Sequence, residues 1–231
     1  MSEIVPFSAV FHLTSDALCP ATVEKGDCMT PVWIQQEWQE GEFACYIQKN
    51  GCGHCCATMA LRLSGIPDIT PHDEYVHCRA LWGEPDEAQG QNHFLSVAGV
   101  EASLRSYGVN AKAYGFAAGQ RTDAVAHILA ELRAGNLVLF HSLPLLPDNP
   151  FSPGAHYVLF VGLSEDGRVM VANSSRRART DTPGVQLVTA QDIEGALSPD
   201  GCDPHVHSLT WGVLYNYKEK LGYIVIERPS A

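Results

Sequence analysis

The chain has 231 residues, of which 45% are hydrophobic and 18% charged, with a formal net charge of -11. This composition excludes a disordered protein and supplies apolar material for one domain with a substantial core. The acidic balance excludes a general nucleic-acid binder or a ligand of anionic membranes, since either needs a basic patch.

The single basic run, Arg176-Arg177-Ala178-Arg179, reads as a solvated loop or a contact for an anionic substrate. The first residues, Met1 to Phe7, lack the basic start and apolar stretch of a secretory signal, and no segment approaches the ~20 apolar residues of a membrane helix. A cytoplasmic location with no membrane partner is therefore expected. The eight cysteines are not spaced as a secreted disulfide framework, and in a reducing compartment most serve as small buried hydrophobes.

In chain order, residues 1–32 mix short apolar runs with Pro6, Pro20 and Pro31, which suits an extended arm or small strands packed on the domain that follows, residues 33–231. Val32 to Trp38 reads as an amphipathic turn leading through Phe43–Ile47 to the stretch Asn50-Gly51-Cys52-Gly53-His54-Cys55-Cys56-Ala57-Thr58-Met59-Ala60-Leu61-Arg62-Leu63-Ser64-Gly65. There, Cys55/Cys56, Met59/Ala60 and Leu63 recur at helical spacing, Cys52 stands at the helix start and Gly65 supplies a stop. Thr70-Pro71-His72-Asp73 predicts a second helix start, running through Cys78 to Leu81. A polar loop from Trp82 to Asn92 precedes a helical face made of Val97, Val100, Leu104 and Tyr107. Asn110–Tyr114 suits a short strand. Val125, Ile128/Leu129 and Leu132 mark another helix, with Thr122 as its cap and Gly135 as its stop.

Beyond this point the pattern changes to strands: 137–140, 157–163, 168–172, 213–217 and 222–227. Glu165-Asp166-Gly167 marks a hairpin turn, and Thr189 a helix cap with Asp192 at the third position. Helices first and an antiparallel sheet second is an α+β order.

The start of a helix is a place where chemistry can sit. Its first backbone N–H groups lack partners within the helix and carry partial positive charge, so a thiolate at Cys52 is favoured. The flanking Gly51 and Gly53 allow a sharp turn and close approach of a substrate carbonyl. His156 begins a strand after a glycine-bearing loop and is the candidate base. Asn173 ends the next strand of the same hairpin, where its carboxamide can fix the histidine tautomer.

Gly51-Cys52-Gly53 with its small apolar helix resembles the nucleophile motif of papain-like cysteine peptidases of the bacteriocin-processing (double-glycine) type and their stand-alone relatives. Gly154-Ala155-His156-Tyr157-Val158-Leu159-Phe160-Val161-Gly162-Leu163 and Val169-Met170-Val171-Ala172-Asn173-Ser174 resemble that family's histidine strand and following strand. The resemblance spans roughly residues 33 to 195. It implies a papain-like fold, a bacterial thiol hydrolase acting on a peptide or protein amide through Cys52, His156 and Asn173, and no cofactor or metal. It also implies an oxyanion-stabilising glutamine shortly before the cysteine, for which Gln48 is the candidate with Gln36 behind it. His54 stands where the family usually has proline, and Asn173 where many relatives have Asp.

The proline-stiffened segment from Ser142 to Ala155 reads either as a packed crossover between strands or as a wall of the substrate cleft, with Phe151 and Gly154 as its substrate-binding candidates. Other outcomes remain open: an acyl transferase or deamidase using the same triad, or a catalytically silent binding module. A soft-ligand set of Cys52, Cys55 and Cys56 with Cys202, His205 and His207 is a weaker zinc alternative, because its second half lacks paired ligand spacing. Cys55 and Cys56 read better as packing on the helix face.

Overall fold

A computed structural model describes residues 9–12, 21–83, 96–142, 149–176, 184–203 and 222–227. The chain is a mixed α+β protein built on antiparallel sheets. Its N-terminal part forms a three-stranded sheet of β1 (Ala9–His12), β2 (Thr22–Lys25) and β3 (Cys28–Pro31). A 3-10 turn at Gln35–Glu37 and two consecutive helices follow, α1 (Ala44–Asn50) and α2 (Cys52–Leu63). Next come α3 (Pro71–Trp82), α4 (Val97–Ser106), β4 (Ala111–Tyr114), β5 (Phe116–Ala117) and α5 (Arg121–Arg133). The remaining elements are β6 (Leu137–Ser142), β7 (His156–Leu163), β8 (Val169–Asn173), β9 (Val185–Val188), α6 (Ala190–Gly195), β10 (Gly201–Cys202) and β11 (Tyr223–Ile226).

The central sheet has the order β4-β11-β6-β7-β8-β9, with every pair antiparallel. Because side chains alternate along a strand, its two faces feed two cores. Tyr157, Leu159, Val161, Leu139 and Ala172 pack with α2, α4 and the N-terminal sheet. Val158, Phe160, Phe140, Val138 and Val171 pack with α5 and α6. With both faces covered, β7 is buried along nearly its whole length and reads as an unbroken apolar run instead of an alternating one.

Local chemistry sets the element ends. Thr70 and Thr189 each form a capping box with an aspartate at the third position, so the shorter carboxylate replaces the usual glutamate in both. Gly65 takes φ +89°, the left-handed conformation that ends α2, and Gly167 takes φ +81° in the β7–β8 turn. Thr122 does not cap α5. Its hydroxyl donates to Glu194 Oε1 instead, tying α5 to α6. The N-terminal sheet packs on the domain at the bulge in β7, where a Cβ added to Gly162 would lie 3.3 Å from Ala9. The expected strand 213–217 and most of the loop 82–92 lie outside the described residues. No described helix is long and apolar enough to cross a membrane.

Since Leu159 is fully buried at the centre of the sheet, Leu159→Ala should destabilise the protein by about 2–5 kcal/mol. Leu187→Ala, at a side chain 43% exposed on β9, should change stability by less than about 0.5 kcal/mol. Urea denaturation of the two variants beside the wild type measures the difference.

Candidate active site at the start of helix α2

Gly51 is both the last cap of α1 and the first of α2, so two helices meet at the residue before Cys52. Its φ is -83°, a conformation open to any residue; what it requires is space. A Cβ there would lie 2.4 Å from the Ile47 carbonyl oxygen. Glycine at this position is therefore dictated by the crowding of the last turn of α1 around Ile47, and not by a positive φ.

The first turn of α2 sits against the start of β7. The β7–β8 ladder ends at the Val158–Asn173 pair, and beyond it the backbone of Tyr157 bonds to the helix. The Tyr157 amide donates to the Cys52 sulfur. The Cys56 thiol donates to the Tyr157 carbonyl at 3.3 Å, and the Ser174 hydroxyl to the Cys52 carbonyl at 3.5 Å. Cys52 is thus held beside the residue that follows His156.

The Cys52 thiol is also approached by the amides of Gly53 and Cys52 itself. Burial nevertheless dominates and pushes the thiol above its ordinary range, because removing the anion from water outweighs the three N–H groups that favour it. This corrects the expectation of a resting thiolate: the helix start attracts negative charge, but in a buried setting the sulfur keeps its proton. Cys55 and Cys56 are completely buried and their thiols are pushed up for the same first reason, in keeping with a packing role.

His156 is buried at the start of β7, and its Nε2 lies 2.8 Å from Asn173 Oδ1. The surroundings of Asn173 fix the direction of that bond. Its Nδ2 donates to the Phe151 carbonyl at 3.0 Å and to Gln186 Oε1 at 2.6 Å, while its Oδ1 accepts from the Ser175 amide at 3.0 Å. With both amide protons used, Oδ1 is an acceptor only, so His156 Nε2 carries the proton and Nδ1 is the basic nitrogen of the neutral ring. Gln186 in turn donates to the Pro150 carbonyl at 2.9 Å, which secures the carboxamide from behind. Burial lowers the His156 pKa to about 4, and the bond to Asn173 opposes that shift.

The other predicted residues fall differently. Gln48 lies on α1, and its Nε2 donates to the Trp38 carbonyl at 2.7 Å, while Gln36 accepts from the Arg176 amide through its side-chain oxygen. Phe151 is not a cleft wall: it is fully buried between Phe140 and Phe160, with ring centroids at 5.6 and 5.8 Å. The stiffened loop turns inward at this residue because the sheet face offers an aromatic socket, and the Phe151 carbonyl then serves Asn173. Gly154 faces open space, since a Cβ there would meet nothing within 4 Å. Leu143, Leu145 and Leu146 lie outside the described residues, as do His205 and His207.

Two features escaped sequence reasoning. His141 at the end of β6 is buried, stacks on Tyr157 with centroids 4.2 Å apart, and among the described residues its Nδ1 has no hydrogen-bond partner. Burial and the neighbouring His156 lower its pKa to about 3. The second is Glu74 on α3, buried in the helical layer. Its Oε1 accepts from the Cys78 thiol at 3.0 Å and the Ser103 hydroxyl at 2.8 Å, and its Oε2 from His54 Nδ1. Burial raises the Glu74 carboxyl, but the His54 ring and these hydrogen bonds outweigh it and leave the group below the usual carboxylate range. The signal for Glu74 was a carboxylate on the same helical face as Cys78, four residues on.

Both buried imidazoles have folded pKa values below their unfolded value of about 6.5. The unfolded chain therefore binds more protons between pH 6.5 and the folded values of about 4 for His156 and about 3 for His141. Stability is full above pH 6.5 and falls as the pH drops through that window, each ring contributing a slope approaching roughly 1.4 kcal/mol per pH unit. Urea denaturation from pH 7 to 4.5 should show this loss, with a shallower slope in His141→Leu.

No family model matches the sequence, and no curated protein matches it. Among solved structures, it is similar to a Bacillus anthracis protein whose assignment as a C39-like peptidase is provisional. The TM-score is 0.47 at 14% identity, over 86% of this chain and 95% of that one.

Proposed function

We propose that the chain is a papain-like thiol hydrolase, akin to the stand-alone relatives of the bacteriocin-processing peptidases. It would attack a peptide or other amide carbonyl with Cys52. The observation that carries this reading is the fixed tautomer of His156: Asn173 holds Nε2–H, which reserves Nδ1 as a base on the residue adjacent to the one that bonds the Cys52 sulfur. In this reading Cys52 is the nucleophile, His156 the base and Asn173 the orienting group, the three roles that acyl transfer requires.

The resting pair is a neutral thiol and a neutral imidazole. As the sulfur forms its bond to the carbonyl carbon, the thiol proton passes to His156 Nδ1 and the carbonyl electrons move to the oxygen. The backbone N–H groups of Cys52 and Gly53 at the open helix end stabilise that oxyanion, and the second N–H of Gln48 is the side-chain candidate to join them. Collapse of the intermediate expels the amine, which takes the proton from Nδ1 and leaves an acyl-Cys52. Water then attacks the thioester, giving its proton to Nδ1, and the thiol is restored. An amine in place of water gives transfer by the same steps. Gly154, beside His156 and facing open space, leaves room for substrate backbone.

The test is turnover of a fluorogenic peptide-amide library. Cys52→Ala should abolish activity, and His156→Ala should reduce kcat/KM by about 10²–10⁴. Asn173→Ala should lower kcat more than it raises KM, since the base loses orientation while substrate contacts stay. The acid limb of kcat/KM should lie near the His156 value of about 4, well below an ordinary histidine, because the neutral ring is the working form. Activity surviving in Cys52→Ala removes the mechanism. A wild type that neither turns over nor forms an acyl adduct on Cys52 is a binding module on this fold.

A further inference from the structure

The geometry points to a structural metal site at His54, Glu74 and Cys78, taking a zinc-like divalent ion. Nδ1 of His54, a Glu74 carboxylate oxygen and Cys78 Sγ lie within 4.8 Å of one another, all three residues are buried, and no other such group occurs among the described residues. Glu74 and Cys78 stand four residues apart on one face of α3, and His54 meets them from α2. Ser103 reaches in from α4, its hydroxyl 2.8 Å from Glu74 Oε1 and 3.5 Å from Cys78 Sγ, while Cys78 Sγ is 3.0 Å from the same carboxylate oxygen.

A tetrahedral zinc ion with bonds of about 2.0–2.3 Å separates its ligand atoms by about 3.3–3.7 Å. The Cys78–Ser103 edge falls in that range and the edges from Glu74 Oε1 to Cys78 and Ser103 lie within about half an ångström of it, while the shorter His54–Glu74 contact must open to admit the ion. The donors are one imidazole, one carboxylate and one thiol, with a hydroxyl at the fourth corner. A nitrogen, oxygen and sulfur set of this kind favours zinc over magnesium or calcium, which take oxygen ligands. Charge favours it too. On binding, the ion displaces the Cys78 proton to solvent and the His54 proton shifts from Nδ1 to Nε2, freeing the Nδ1 lone pair, and a divalent cation against one thiolate and one carboxylate leaves a neutral centre in a buried place. The site is closed by the helices around it, so the ion enters as α2, α3 and α4 assemble and exchanges slowly afterwards. It is separate from the proposed Cys52 chemistry and stands or falls without it.

The experiment uses the full chain carrying Cys52→Ala, which removes the thiol of the candidate active site as a competing ligand. The protein is unfolded with EDTA and refolded with Zn²⁺, with Co²⁺ or with no metal. Expected are about one Zn²⁺ retained per chain through dialysis, a higher melting temperature than the metal-free protein, and, with Co²⁺, tetrahedral visible bands with a near-ultraviolet thiolate band. Cys78→Ser should lose the thiolate band, and Cys202→Ser should keep it. If Cys78→Ser does not fold, the Co²⁺ spectrum of the parent decides alone. Absence of retained metal, a Co²⁺ complex without a thiolate band, or a thiolate band unchanged in a folded Cys78→Ser overturns the assignment.

Discussion

The structure depends on how α2 is seated. Eleven of its twelve residues are buried, so no apolar stripe can by itself select the rotation of the helix about its axis. Polar contacts make that selection, because a buried hydrogen-bonding group tolerates few alternatives. On the sheet side, Cys52 and Cys56 bond to the amide and carbonyl of Tyr157, and Ser174 closes on the Cys52 carbonyl. On the helix side, His54 bonds to Glu74 on α3, and the Thr58 hydroxyl returns to the His54 carbonyl at 2.8 Å. A rotation of α2 that relieved one set would break the other.

The same burial that fixes the helix sets the electrostatics of the site. An isolated helix start would favour an anion, yet here the sulfur is desolvated and the net effect runs the other way. The imidazole is desolvated as well, so neither partner is charged at rest. A neutral pair avoids placing a thiolate and an imidazolium in a dry setting, and in the proposed reaction it would transfer the burden to the moment of attack, when the backbone dipoles of the helix start would meet the developing charge. Asn173 suits that arrangement. A carboxamide orients the ring without adding a buried anion, whereas an aspartate in its place would need partners for a full negative charge, and Phe151 and Gln186 offer it carbonyl oxygens instead of donors.

Much of this was legible from sequence because it is local. The helix from Cys52, the helix starts at Thr70 and Thr189, the Asp166-Gly167 turn and the strands β6, β7, β8 and β11 all follow from spacing and turn chemistry over a few residues, whereas β9 was not among the expected strands. What was not legible is set at a distance. β5 and β10 are two residues long and exist only because they pair with each other. β11 inserts between β4 and β6, so a strand late in the chain joins the edge strand β4 to the rest of the sheet. Phe151 sits among prolines that mark an exposed loop, and only the aromatic surface of Phe140 and Phe160 explains why it is core. At Cys52 the local reading, a helix start, gave the sign of one contribution and missed the larger opposing one, because burial is not written in a motif.

His54 shows how a departure from a sequence pattern becomes intelligible once its partner is known. Proline in the first turn would preset φ for the helix at no loss of hydrogen bonding, so its absence costs some pre-organisation. In exchange, the imidazole reaches out of α2 into the layer formed by α3 and α4, where the Glu74 carboxylate accepts from it as well as from Cys78 and Ser103. Tyr75 packs edge-on against the same ring at 5.1 Å. Proline fixes only its own backbone, whereas this histidine fixes the position of the nucleophile helix relative to two others. Without a bound cation, the carboxylate at the centre would be untenable in the apolar layer but for those three donors, and each donor comes from a different point on three helices. His54 and Glu74 are therefore interdependent: the residue that replaces proline beside the candidate nucleophile is intelligible only with a buried acid twenty positions further on.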